Sequence, residues 1–91
     1  MAFRVFLHPK AAKFLAELSS SDQTRSKEAL RGLEKDPVTR RAGADIKPLA
    51  GTRGREDLFR LRIGKFRAVY SVRGDEILVT DLFPRGRGYE V

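Results

Sequence analysis

Three arginines in one short stretch carry the strongest chemical signal: Arg60, Arg62 and Arg67. They lie on two β-like apolar runs, Leu58–Ile63 and Phe66–Arg73, separated by Gly64-Lys65. Glycine followed by one further residue predicts a two-residue hairpin turn of the II′ kind, which fixes the register. Ile63 then faces Phe66, Arg62 faces Arg67, Leu61 faces Ala68, Arg60 faces Val69, and Phe59 faces Tyr70. Side chains alternate along a strand, so Phe59, Leu61, Ile63, Phe66, Ala68, Tyr70 and Val72 share an apolar face. The three arginines meet on the opposite face. Like charges directly opposed across a sheet are unfavourable, and the predicted meander offers them no acid within reach. A guanidinium fork matches phosphate geometry, so the patch reads as an anion-binding surface.

Other residues extend this signal. Phe83-Pro84-Arg85-Gly86-Arg87-Gly88-Tyr89 leaves the last predicted strand beside the first hairpin's turn, adding two cations and a ring that can stack on a base. Ala50-Gly51-Thr52-Arg53-Gly54-Arg55 reads as a flexible basic loop. The single histidine, His8, precedes Pro9 at a strand–helix junction and reads as a cap. Arg73 opposite Glu76 reads as an ordinary surface pair. There is no Ser-His-Asp set, metal-ligand spacing, P-loop or G-x-G-x-x-G. An enzyme built from this chain would work with Arg, Lys and Tyr, without metal or cofactor.

The elements that hold these residues follow from the 91-residue chain. With 19 Lys plus Arg against 12 Asp plus Glu, its net charge is +7. Arginine outnumbers lysine 13 to 6, which sharpens the preference for anions. No cysteine is present, which excludes a disulfide framework and a Cys-based zinc site. The apolar runs are too short for a membrane span or a signal peptide. The expectation is one intracellular, cytoplasmic domain over residues 1–91.

Phe3–Leu7 predicts a first strand. Pro9, with Ala11, Phe14, Leu15 and Leu18 at helical spacing, predicts an amphipathic helix of about ten residues. Ser20 with Gln23 has capping-box spacing for a second helix, closed by Asp36-Pro37. Its apolar face is thin: Ala29, Leu30 and Leu33, with Ser26 one turn earlier. Residues 38–45 read as a loop exposing Arg40-Arg41, and Ile46–Leu49 as a short strand weakened by Pro48. Leu58–Ile63, Phe66–Arg73 and Glu76–Phe83 form an antiparallel meander. The fold class is α+β, β-α-α-β-β-β(-β), with a helical hairpin packed on a twisted antiparallel sheet.

The whole chain resembles the RelE/ParE superfamily of toxin–antitoxin toxins, specifically the RelE-like branch. The resemblance is carried by the opening strand with His8-Pro9-Lys10-Ala11-Ala12-Lys13, by Lys47-Pro48-Leu49-Ala50-Gly51, and by Arg85 to Tyr89. It is strongest over Phe59-Arg60-Leu61-Arg62-Ile63-Gly64-Lys65-Phe66-Arg67-Ala68-Val69-Tyr70. It implies a RelE-like fold and a toxin that cleaves mRNA in the ribosomal A site. There the 2′-OH attacks the adjacent phosphate, leaving a cyclic phosphate and a free 5′-OH.

By resemblance, Arg60 and Arg62 fall at the basic pair, Arg67 at the phosphate-binding Arg, Arg85 at the general-acid Arg and Tyr89 at the base-stacking Tyr. Lys47, Arg53, Arg55, Lys65 and Arg87 are expected along the RNA path. The implied partners are a RelB-like antitoxin and the small ribosomal subunit with mRNA. In well-studied RelE members the basic pair is Lys, one of them a proposed general base; here both are Arg, which is a poor base. Either charge stabilisation and orientation carry cleavage, which we favour, or Lys47 or Lys65 becomes the base. A ParE-like gyrase inhibitor and a non-catalytic RNA-binding member of the family are the alternative readings.

Overall fold

A computed structural model describes residues 2–42, 44–49 and 58–84 of the protein. The element order is β1 (Arg4–Leu7), α1 (Pro9–Ala16), α2 (Ser20–Gly32), β2 (Asp45–Pro48), β3 (Leu58–Ile63), β4 (Phe66–Arg73) and β5 (Glu76–Pro84). The strands form one five-stranded sheet in the order β1-β5-β4-β3-β2. All pairings are antiparallel except β1 with β5, which run parallel. That pairing was not foreseen. Both helices and strands β2 to β4 lie between β1 and β5 in the chain, so the connection is far longer than the dozen or so residues that a parallel neighbour needs.

Local chemistry explains the helix ends. The His8 side chain accepts a hydrogen bond from the Lys10 N–H, capping α1 as expected, and Pro9 occupies its first turn. α1 is eight residues long, shorter than the spacing suggested. Its successor is capped by Ser19, which accepts from the Asp22 N–H, and not by Ser20. Gln23 therefore makes no capping box. Its side-chain amide donates to the Ala16 and Leu18 carbonyls, closing the end of α1.

The far end of α2 is closed by Arg41, whose guanidinium donates to the carbonyls of Gly32, Asp36 and Thr39. Asp36 accepts from the backbone N–H groups of Val38 and Thr39. These bonds hold its carboxyl near pH 2, below the usual carboxylate range.

The helices cover one sheet face. Ala11, Leu15, Leu30 and Leu33 pack with Leu61, Ile63, Phe66, Ala68 and Tyr70 of the hairpin and with Ile77 and Val79 of β5. Phe59 and Val72 are partly buried against the same core, so the predicted apolar face is the core face. Ser26 is fully buried on the thin face of α2. Tyr70 is the largest fully buried side chain; its hydroxyl donates to the Pro37 carbonyl at 2.7 Å. Burial holds this phenol well above its ordinary range. The bond ties β4 to the segment that carries the chain from α2 into β2. Among the described residues no helix is long and apolar enough to cross a membrane.

Candidate functional site

The hairpin register is as predicted: Arg62 pairs with Arg67, Arg60 with Val69, and Phe59 with Tyr70. Gly64 and Gly74 take the positive φ that their turns require, 53° and 60°. Arg60, Arg62 and Arg67 therefore share the face away from the helices. Their side chains are half-enclosed rather than free in water; Arg60 is only 19% exposed. The Nε atoms of Arg60 and Arg67 are buried with no hydrogen-bond partner among the described residues. A buried donor left unpaired costs about 1–3 kcal/mol. The cluster is thus built at some cost to stability.

The cluster does have an acid, contrary to the reading from the meander alone. β2 pairs antiparallel with β3, placing Asp45 opposite Arg62 and Lys47 opposite Arg60. Asp45 lies 3.5 Å from Arg60, 4.0 Å from Arg62 and 3.4 Å from Arg40. These are loose ion pairs compared with the 2.7–2.9 Å, roughly, of a tight charge-assisted bond. One carboxylate among three guanidiniums leaves the patch positive before Arg67 is added. Asp45 was the functional candidate that sequence reasoning missed. Its signal was the alternation Asp45–Ile46–Lys47, with Ile46 buried and its neighbours on the other face.

The remaining candidates divide. Lys47 is exposed on the arginine face. Lys65 turns to Asp22 of α2 at 3.2 Å and lies over the Phe66 ring, so it is not brought to the cluster. Arg40 joins the cluster through Asp45, whereas the neighbouring Arg41 is spent on carbonyls. Arg73 stands opposite Glu76 as expected, and the Glu76 carboxylate also meets Arg4 at 3.0 Å. Arg53, Arg55, Arg85, Arg87 and Tyr89 lie outside the described residues. β5 sets where the tail departs. Phe83 pairs with Arg67 and Pro84 with Phe66, at the end of the sheet where the first hairpin turns.

Around the sheet edge, a cavity of about 480 Å³ is lined by Arg25, Arg41, Ala44, Asp45, Arg62 and Gly64, among others. It continues the positive surface from the open face toward α2. Among the described residues no group of His, Asp or Glu could hold a metal ion. The arrangement can grip a phosphodiester through planar donors and offers one carboxylate beside them.

Comparisons with known proteins agree with this architecture. The family model described as ParE toxin of type II toxin-antitoxin system, parDE, matches residues 5–89. A protein of Methanocaldococcus jannaschii that bears the toxin name RelE1 is 34% identical over 79 residues, covering 87% of this chain and 83% of its own. The crystal structure of an archaeal RelE-RelB complex from Pyrococcus horikoshii matches with a TM-score of 0.81 and 38% identity, covering 97% of this chain and all of that one. The isolated E. coli RelE toxin shares the fold, with a TM-score of 0.74 at 20% identity over 96% of this chain and 88% of that one.

Proposed function

The chain belongs to the RelE/ParE superfamily of type II toxin–antitoxin toxins, and from that premise we propose that it is a ribosome-dependent mRNA endoribonuclease. The observation that carries this reading is the facing pair Arg62 and Arg67 with Arg60 alongside, two of them holding buried Nε donors without partners. Guanidiniums that share one loosely held carboxylate keep charge and donors in reserve for a ligand phosphate. In RNA cleavage the 2′-oxygen attacks the adjacent phosphorus and negative charge builds on the non-bridging oxygens. Fixed guanidiniums at a half-buried surface stabilise that charge more in the transition state than in the ground state. The bond to the 5′-oxygen breaks, leaving a cyclic phosphate and a 5′-OH. Arg85, Arg87 and Tyr89 would complete the site from the tail that β5 directs to this end of the sheet.

The partners follow from the same reading. An antitoxin of the RelB kind would bind and neutralise the toxin; relatives are solved as RelE-RelB complexes. The small ribosomal subunit would present the mRNA, in the cytoplasm, to this single domain. The test is induced expression with mapping of mRNA ends, alongside purified protein on programmed ribosomes. Cuts within A-site codons are expected, with Arg67→Ala lowering them about 10²-fold or more. Intact transcripts under continued translation would sink the reading.

A second reading is favoured by the family model, which is of ParE toxins. A toxin of that kind would poison DNA gyrase and leave RNA whole. A supercoiling assay separates the two: inhibition without RNA cleavage would select it.

A further inference from the structure

We propose that Asp45 is the proton acceptor for the attacking 2′-hydroxyl, an inference that rests on the endoribonuclease reading above. The problem it answers is chemical. A 2′-hydroxyl attacks faster when a base removes its proton, yet the basic pair of β3 is Arg60 and Arg62. Arginine starts protonated and stays so, and a lysine must first lose a proton, whereas a carboxylate at neutral pH starts without one. Lys65 is committed to Asp22 on the helix side. Among the described residues, Asp45 is the one carboxylate ion-paired to the arginines of β3.

Its placement suits the task. Asp45 is the direct cross-strand neighbour of Arg62, on the face that carries Arg60 and Arg67. Its side chain is 31% exposed, so a substrate hydroxyl can reach it. Contacts of 3.4, 3.5 and 4.0 Å hold it in place without filling its lone pairs with short bonds. A phosphate drawn to Arg60 and Arg62 arrives beside this carboxylate. The same guanidiniums that orient the phosphate thereby set the distance between base and nucleophile. The charged groups around Asp45 are Arg40 from the preceding loop, Arg60 and Arg62 from β3, Lys47 two residues along its own strand, and Arg25 and Arg41, which line the same cavity.

The step balances. The 2′-O–H proton passes to an Asp45 carboxylate oxygen as the 2′-oxygen bonds to phosphorus. The bond from phosphorus to the 5′-oxygen breaks, and that oxygen takes a proton from water. Asp45 then returns its proton to solvent, and the protein ends as it began.

A counter-ion that only steadies the arginines predicts that RNA binding and cleavage fall together, which makes the proposal decidable. With purified protein on programmed ribosomes, Asp45→Asn should lower the single-turnover cleavage rate about 10²–10⁴-fold while RNA binding holds or tightens. Cleavage by Asp45→Asn at or above the wild-type rate overturns the proposal and leaves the endoribonuclease reading standing. Absence of cleavage by the wild type removes both. Should Asp45→Asn fail to fold, Asp45→Ala decides: formate should restore cleavage where chloride at equal ionic strength does not. Equal rates in the two salts overturn it.

Discussion

Arg62 and Arg67 stand directly opposite each other on β3 and β4, two like charges at one register position, and Arg67 keeps a buried Nε with no partner among the described residues. A sheet optimised for stability would not place them so. Opposed like charges cost a few tenths to about 1 kcal/mol, and the unpaired donor adds to that. Arg67→Gln should therefore leave the unfolding midpoint unchanged or raise it by a few degrees, while cleavage falls about 10²-fold. Thermal melts beside ribosome cleavage assays check this. A large loss of stability would show that Arg67 holds the sheet together.

The legibility of that pair has a physical reason. A two-residue turn built on glycine leaves no freedom in how Leu58–Ile63 meets Phe66–Arg73, so face and register could be read from spacing alone. Asp45 was hidden because nine residues separate β2 from β3 in the sequence, a spacing that fixes no register, and because Pro48 obscured a strand. Pro48 is tolerated because β2 is a sheet edge. Ser19, Ser20 and Ser21 were equally able to cap α2. What chose Ser19 was tertiary: Gln23 is drawn to the end of α1. The parallel pairing of β1 depends likewise on packing between distant segments.

Asp36 makes stability depend on acid. Its carboxyl accepts from the Val38 and Thr39 N–H groups and titrates near pH 2, against an ordinary value of 3.8. A group with a lowered folded-state pKa stabilises fully above its unfolded value, and the contribution fades as pH falls through the folded one. Between about pH 4 and pH 2, wild-type stability should therefore drop more steeply than that of Asp36→Asn. Urea denaturation at a series of pH values measures the two slopes. Parallel curves would show that the turn does not depend on the charge.

Tyr70 ties the core to the segment that precedes β2. Its hydroxyl reaches the Pro37 carbonyl at 2.7 Å, and its ring stacks on Phe59 with centroids 5.8 Å apart. Tyr70→Phe keeps the ring and strands the buried carbonyl. We expect a loss of about 1–2 kcal/mol in denaturant unfolding, with the fold retained. Since Pro37 begins the segment leading to Arg40 and Asp45, cleavage should fall several-fold more than stability alone explains when assayed well below the melting temperature. Full activity at reduced stability would confine Tyr70 to the core.

Salt dependence measures how many of the cations meet phosphate. For single-stranded RNA, the logarithm of the binding constant falls with the logarithm of salt concentration by about 0.7 per phosphate neutralised. If Arg60, Arg62, Arg67 and Lys47 each take one phosphate, the slope for a short oligoribonucleotide is about −3. Binding then weakens about 50-fold on going from roughly 50 to 200 mM salt. Arg60→Gln should bring the slope back toward zero by about 0.7. Lys13→Gln, on an exposed position of α1, should leave it unchanged. That contrast separates a built patch from the general attraction of a chain with net charge +7. If both substitutions shift the slope equally, the RNA is held by overall charge and the arginine cluster must serve another ligand.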